Sequence, residues 1–440
     1  MKRIFFLFSV LCLLSSGLRA QIAAHVVRTK IAGIDVLVYK TGVKDVVTIK
    51  GSFPGGDSFA GQGNVAVPTL CGMLLDQGTT KHDKFAIADQ LEGVGATIEF
   101  HVDTHLVEVE AKCLKKDMPL VVGLLAEQLR TPALSADEFE KAKTQYAGSI
   151  KRSLENTDYR AGEAFTRAVY PAGHPNRPPS PEEMLAAIDQ AKLEDVKAFH
   201  AKYYGPAHFT LVAVGDVDAA ALQGEVAKSF AGWSGGVAMP ATGKVGPTDA
   251  AKTQDVFMAD KTSVSVLFGQ ASGLRYSDPD YVALRTATSI LGSDFTSRLV
   301  AIVRDTEGLT YGIRANLNND TFGEGDWRIS ATFAPELLNK GIDSTTKQLK
   351  SWYEQGVTTD ELAKRKTNLV GRFKVGLATT DGMADSLLLS VDRGVGPEWL
   401  DQYPGKVNSL DLAHVNSAIK KYLNPDEMLV IKAGTIPGAK

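Results

Sequence analysis

Arg304 and Tyr311 are the residues of this chain whose types and spacing best suit chemistry. They lie in residues 297–315, SRLVAIVRDTEGLTYGIRA. Val282, Ile290, Leu291, Phe295, Leu299, Ile302 and Val303 recur at helical spacing, so one long helix is expected to run up to Arg304. Asp305, Thr306 and Gly308 read as its stop, with Gly308 suited to the left-handed closing turn, and residues 309–317 read as a strand. A guanidinium on the last helical turn and a phenol early in the strand then fold towards each other. Both can point at one polar ligand, the guanidinium through its fork of donors and the phenol through its hydroxyl.

Other polar residues read more plainly. His101 and His105, in EFHVDTHLVEVE, are expected on one strand face near Glu99 and Asp103, where exposed alternation explains them better than a metal. Ser58, Ser149 and Ser180 have no His and Asp at an interpretable spacing, so a serine hydrolase is not supported. His174 in HPNRPP reads as a ring packed between prolines, and Arg298 as a structural tie. The GEG of residues 323–325 is followed by a strand, whereas a phosphate cradle needs a helix there.

What must position these groups follows from the whole chain. At 440 residues it exceeds one ordinary core, and two domains are the default. Hydrophobic residues at 44%, charged residues at 22% and a formal charge of −3 describe a globular chain with no nucleic-acid footprint. Lys2 and Arg3, the apolar run 4–14 and the small, polar end at Ala20 read as a secretory signal peptide over residues 1–20. That run is too short for a membrane span, and no later segment is long and apolar enough for one. Export is expected, with the periplasm as destination. Of the cysteines, Cys71 and Cys113 remain after such a cut. Sequence does not fix whether they pair, and apolar surroundings favour buried thiols.

An internal repeat organises the rest. DEFEKAKTQYAGSIK (137–151) and DELAKRKTNLVGRFK (360–374) share seven of fifteen positions, and LEDVKAFHAKYYGP (193–206) matches LAHVNSAIKKYLNP (412–425) at both ends. The offsets, 223 and 219, are nearly equal, which argues for two copies of one unit. In the first copy, strand patterns flank a turn at Gly42, helices are expected over 64–75, 85–91, 119–129 and 137–154, and 96–114 reads as a hairpin turning near Asp103. Residues 169–181 read as a Pro- and Gly-rich loop; a helix over 193–204, a strand over 209–214 and a last helix over 219–230 follow. The expected fold is therefore α+β: two homologous domains, each a mainly antiparallel sheet with helices packed on one face, enclosing a cleft. The expected divisions are 21–233, a linker over 234–249, and 250–440.

ILGS with SRL, then Arg304, Gly308–Leu309 and Tyr311, resemble the C-terminal signature of the pitrilysin and mitochondrial processing peptidase family. GSFPGG (51–56), LLDQGTT (74–80), GVGATIEF (93–100) and HPNRPP (174–179) extend the resemblance over essentially the whole mature chain. Active members are zinc endopeptidases with His-x-x-Glu-His on the first long helix and a further Glu on a later one. Alignment back from Gly78–Thr79 puts Thr69, Gly72 and Met73 at the motif positions and Ser149 near the distal Glu. No His occurs between His25 and His82, so these metal-motif positions are degenerate and no zinc is expected on this chain.

The resemblance implies that Tyr311 donates to the oxyanion of a peptide bond under attack and that Arg304 holds a substrate carbonyl or carboxylate. It further implies a non-catalytic subunit of a heterodimeric peptidase, which acts in trans on peptide or unfolded polypeptide while a homologous partner carries the zinc. The rival expectations are a stand-alone peptide-binding module, as a homodimer, and an assembly scaffold without protease activity.

Overall fold

The computed structural model describes residues 22–245 and 253–438. The expected signal peptide and part of the expected linker lie outside these residues.

One helical turn, α1 (Ile22–His25), leads into β1 (Val26–Ile31), β2 (Ile34–Lys40) and β3 (Val46–Pro54). Two helices follow, α2 (Val67–Met73) and α3 (Lys84–Glu92), and then the hairpin β4 (Thr97–Val102) and β5 (Leu106–Leu114). Next come α4 (Met118–Arg130), α5 (Ala136–Ser153), α6 (Thr157–Val169), α7 (Pro181–Gln190) and α8 (Leu193–Tyr203), and the half ends with β6 (Thr210–Gly215) and α9 (Ala219–Ser229). Caps explain several starts: Ser135, Asn156 and Asp218 accept from backbone N–H groups, and Ser180 with Glu183 forms a reciprocal capping box.

The second half repeats the order. It holds β7 (Thr253–Phe257), β8 (Val264–Ala271), α10 (Tyr281–Gly292), β9 (Thr310–Asn318) and β10 (Asp326–Phe333). Helices α11 (Leu338–Gln355), α12 (Thr359–Gly376), α13 (Thr380–Asp392), α14 (Glu398–Ser409) and α15 (Leu412–Tyr422) follow, and β11 (Leu429–Gly434) ends it. The first sheet runs β1-β2-β6-β3-β5-β4 and the second β7-β11-β8-β10-β9. Apart from β1 the two orders correspond strand for strand. Each sheet is antiparallel except for one parallel pair, β2 with β6 and β7 with β11, at the same place in both. The repeat seen in the sequence is thus a repeat of topology.

Each half keeps its own helices over one face of its sheet, as expected. Ile34, Val36 and Val38 of β2 point into one core, and Val264, Val266 and Phe268 of β8 into the other. The opposite face of each sheet is covered by a helix from the other half, which the expectation of single-faced sheets missed. Helix α6 lays Ala161, Ala164, Phe165 and Val169 on Leu267, Leu429, Ile431 and Ala433. Helix α13 lays Met383, Ala384, Leu387 and Leu388 on Leu37, Val212 and Val214. Each large aliphatic or aromatic side chain so buried contributes about 1.5–3 kcal/mol.

A polar seam runs beside each exchanged helix. Along β3, Thr48 hydrogen-bonds Thr380 and Asp381, Lys50 pairs with Asp385, and Ser52 donates to Asp392 at 2.8 Å. On the other side Ser265 donates to Thr157, and the Tyr170 hydroxyl donates to buried Asp326 at 2.9 Å. The HPNRPP loop adds a brace: Asn176 bonds His105 through its side-chain oxygen and the Asn319 carbonyl through its amide. Ser52, Phe53 and Leu106 face Phe322, Val391 and Asp392 across a groove of about 540 Å³ at the junction.

Two further expectations change. The apolar stripe of residues 282–303 is not one helix: α10 ends at Gly292, and a separate π-helical segment, Val300–Thr306, carries Arg304. Asp294 causes the break, since its carboxylate accepts from Thr296 and pairs with buried Arg365 of α12. The helix expected over 64–75 is shorter, with Pro68 in its first turn. Residues 234–245, within the expected linker, carry no helix or strand, and Thr242 and Val245 tie them by hydrogen bonds to the 322–324 turn. Cys71 and Cys113 are both free and buried.

Candidate functional site

The π-helical segment closes through Glu307 N–H to the Ile302 carbonyl, and Gly308 follows at φ 64°. Only a residue without a side-chain penalty sits easily there, so the chain turns directly into β9. Arg304 and Tyr311 meet across this turn. The Arg304 guanidinium carbon lies 5.1 Å from the Tyr311 ring centroid and 5.1 Å from that of Phe295. A cation between two rings gains from both π faces.

Both rings are open to solvent: Tyr311 is 89% and Phe295 72% exposed. Arg304 itself is half-buried, and its one ion pair among the described residues is to adjacent Asp305 at 3.8 Å. Its donors and the Tyr311 hydroxyl are therefore free to take an external carbonyl or carboxylate. Phe295, which reads from sequence as part of an apolar stripe, is the member of this cluster that sequence reasoning missed.

The segment is held from behind. Arg298 forks onto Glu361 at 2.6 and 2.7 Å and donates to the Gly356 carbonyl at 2.9 Å, confirming it as a tie. Burial pushes the Glu361 carboxyl up, but the Arg298 fork and the Thr358 N–H outweigh it and hold it at about 2. Glu361 also closes the Thr358 capping box of α12, so one carboxylate fixes both helix start and turn.

The N-terminal positions aligned with the zinc motif are filled differently. Thr69 donates to Asp57 at 2.8 Å. Burial drives the Asp57 carboxyl up to about 6 against that hydrogen bond, with Asp103 adding to the rise. Gly72 lies directly on β4: a Cβ there would stand 2.2 Å from Val102 Cγ2. Met73 is half-buried beside the N-terminal core, and Ser149 donates within its own helix to the Tyr146 carbonyl at 2.7 Å. Tyr146 hydrogen-bonds the Met184 sulfur. Thr69, Gly72, Met73 and Ser149 carry no imidazole or carboxylate, so they do not fit a zinc ion.

The histidines resolve individually. His101 is on β4 but His105 sits in the hairpin turn, so they do not share a strand face. His105 bonds Asn176 at 2.8 Å and packs on Phe322. Burial lowers its pKa, which keeps the ring neutral. His174 stacks on Tyr170 at 4.8 Å rather than between prolines. Among the described residues no three His, Cys, Asp or Glu side chains are grouped to hold a metal ion. None of the described helices is long and apolar enough to cross a membrane.

Two homologous α+β units with an exposed Arg–Tyr turn, and non-ligating residues at the aligned metal positions, define a protein of peptidase architecture. Two family profiles match it: "Insulinase (Peptidase family M16)" over residues 55–177 and "Peptidase M16 inactive domain" over residues 190–369. The chain belongs to the M16 peptidase family.

Its similarity to a "non-peptidase homolog" from Helicobacter pylori is 22% identity over 96% of each chain. An uncharacterised zinc protease of Streptomyces coelicolor is 22% identical over 71% of this chain and 69% of its own. Subunit 1 of the bovine mitochondrial cytochrome b-c1 complex matches at 22% over 50% and 45%. Among solved structures, a peptidase M16 inactive domain from Pseudomonas fluorescens aligns with a TM-score of 0.86 and 22% identity, covering 94% of this chain and 99% of that one.

Proposed function

We propose that this chain is the zinc-less subunit of a heterodimeric M16-type peptidase, exported to the periplasm, where it binds peptide and supplies Arg304 and Tyr311 in trans. A homologous partner would hold the zinc. The observation that carries this reading is the asymmetry between the two half-sites. The aligned metal positions are packed with non-ligating groups, while Arg304 and Tyr311 stand together and open to solvent. The match to an inactive-domain profile and to a non-peptidase homologue supports it.

In the encounter this geometry suits, Arg304 grips a substrate carbonyl or carboxylate and Tyr311 donates to the carbonyl oxygen as it becomes an oxyanion. The test mixes this chain with a zinc-motif M16 subunit and follows peptide cleavage. Cleavage is expected from the mixture and not from this chain alone. Tyr311→Phe is expected to lower kcat by about 10²–10³, the usual loss for one oxyanion donor. An unchanged rate would sink the catalytic role. A second reading, assembly scaffold without proteolysis, draws on the likeness to a subunit of a respiratory complex. It predicts that Arg304→Ala leaves partner function intact.

A further inference from the structure

The C-terminal half contains a cavity of about 660 Å³, bounded by α10, β9, α12, α13 and α14, which no role discussed so far uses. Its size is that of a small-ligand pocket. Three guanidinium groups, from Arg285, Arg372 and Arg393, line it, and none of them makes an ion pair among the described residues. Arg285 is ringed by the tyrosines 276, 281 and 403, and Asp320 is the carboxylate near enough to act on it and on Arg393. Arg393 stacks on Tyr276 at 3.7 Å, with Thr321 as its hydrogen-bond partner at 3.4 Å. Arg285 and Arg372 are exposed on the cavity surface and Arg393 is half-buried there, so three like charges with one carboxylate between them leave room for a further anion.

The remaining lining narrows the anion. Asp320 is 4% exposed and sits on the same wall, so a phosphate would meet a like charge. A ligand that carries an N–H donor beside its negative charge satisfies both. Asn316 and Asn368 offer amides whose side chains have no hydrogen bond among the described residues, and Trp399 and Tyr403 supply an aromatic wall for an apolar side chain. Carboxylate, adjacent N–H and apolar side chain together describe an α-amino acid unit.

The repeat shows which junction of the first half this cavity corresponds to. Arg372 stands at the same 223-residue offset from Ser149 as the helix repeat, and Gly292 packs on Ala315 of β9 as Gly72 packs on Val102 of β4. The cavity is therefore the counterpart of the α2–β4–α5 junction, which Thr69, Asp57 and Tyr146 close. In the second copy the same junction has stayed open and become basic.

We propose that this cavity binds an α-amino acid carboxylate, either free or as the C-terminal residue of a peptide. The inference stands on this chain alone and needs no zinc-bearing partner. The test titrates the full protein with N-acetyl-Ala-Ala-Phe as free acid and as C-terminal amide, with free phenylalanine and with inorganic phosphate. Calorimetry reports binding, and tryptophan fluorescence does so through Trp399 on the cavity wall when compared with a Trp399→Phe control.

The acid is expected to bind, and the amide at least about tenfold more weakly, as for loss of a charge-assisted hydrogen bond. Free phenylalanine binding as well as the acid identifies a free amino acid site; binding of the peptide acid alone identifies a peptide terminus. Arg372→Ala, at an exposed position, and Arg285→Gln are each expected to weaken the acid tenfold while melting normally. Loss of acid binding in Arg304→Ala, with Arg372→Ala and Arg285→Gln still binding, would place the ligand at the in-trans site and overturn the proposal. Equal affinity for acid and amide, no binding of either, or displacement by phosphate at lower concentration overturns the proposal.

Discussion

Thr157 and Thr380 stand at equivalent places in the two copies of the fold, and each accepts a hydrogen bond from the sheet of the opposite half. Ser265 donates to Thr157 at 2.8 Å, and Thr48 donates to Thr380 at 3.0 Å. Each threonine opens the helix that crosses over, so the halves are tied by reciprocal exchange rather than by a flat contact.

Leu387→Ala should show how much that exchange holds. Leu387 is fully buried between α13 and the N-terminal sheet. The expected loss is about 2–5 kcal/mol, the range for a large-to-small change in a core. Because α13 belongs to one half and its bed to the other, denaturant unfolding should remain a single transition at a lower midpoint. Two separated transitions would contradict the coupling.

Gly72→Ala tests the filled metal-motif helix. The added methyl meets Val102, a stiff β-branched side chain, and overpacking of this kind costs about 1–3 kcal/mol. The triple variant Thr69→His, Gly72→Glu, Met73→His should therefore fail to restore a stoichiometric zinc site, as measured by metal analysis of the purified protein. One bound zinc per chain would show that the helix can lift off β4.

Tyr311→Phe should leave stability within about 0.5 kcal/mol of the parent, because the ring is 89% exposed and its stacking face is kept. Matching thermal melts would show that any activity lost in the variant comes from the missing hydroxyl. A marked drop in Tm would assign the hydroxyl a structural partner.

Asp392 gives a pH dependence. Burial raises its carboxyl to about 7 despite the Ser52 hydrogen bond, and Glu108 and Asp103 add to the rise. The folded chain therefore holds a proton that the unfolded chain releases near pH 4, and stability falls as pH rises from there to about 7. Asp392→Asn should remove the penalty. Its melting temperature should exceed the parent's at pH 8, by up to about 4 kcal/mol in stability, and match it at pH 4. An equal difference at both values would count against a titrating Asp392.

The two thiols should be silent in the native state. Burial pushes Cys71 up to about 12 and Cys113 up to about 11, and the thiolate is the reactive form. A thiol reagent at pH 8 should label neither until denaturant is added. Rapid native labelling of either would show local opening of the N-terminal core.

Local patterns made much of this fold legible. The matched helices α5 and α12, the β4–β5 hairpin and the Arg304–Tyr311 turn all announce themselves through spacing, caps or glycine. What could not be read is which surface an amphipathic helix covers. The apolar faces of α6 and α13 look like those of any bundle helix, yet their beds are strands of the other half, far along the chain. The break after Gly292 hides under a continuous apolar stripe because Arg365, far along the chain, stabilises Asp294 in the turn. The cavity is built from segments spread between Tyr276 and Tyr403, and only the repeat, followed residue by residue, points to it.

The exchanged helices also set a timetable for synthesis. Leu37, Val212 and Val214 emerge early, but the helix that shields them ends at Asp392, so their sheet keeps an uncovered apolar face until nearly the whole chain has been made. The first half cannot finish folding as it leaves the ribosome, and any truncation before α13 strands it with an adhesive back.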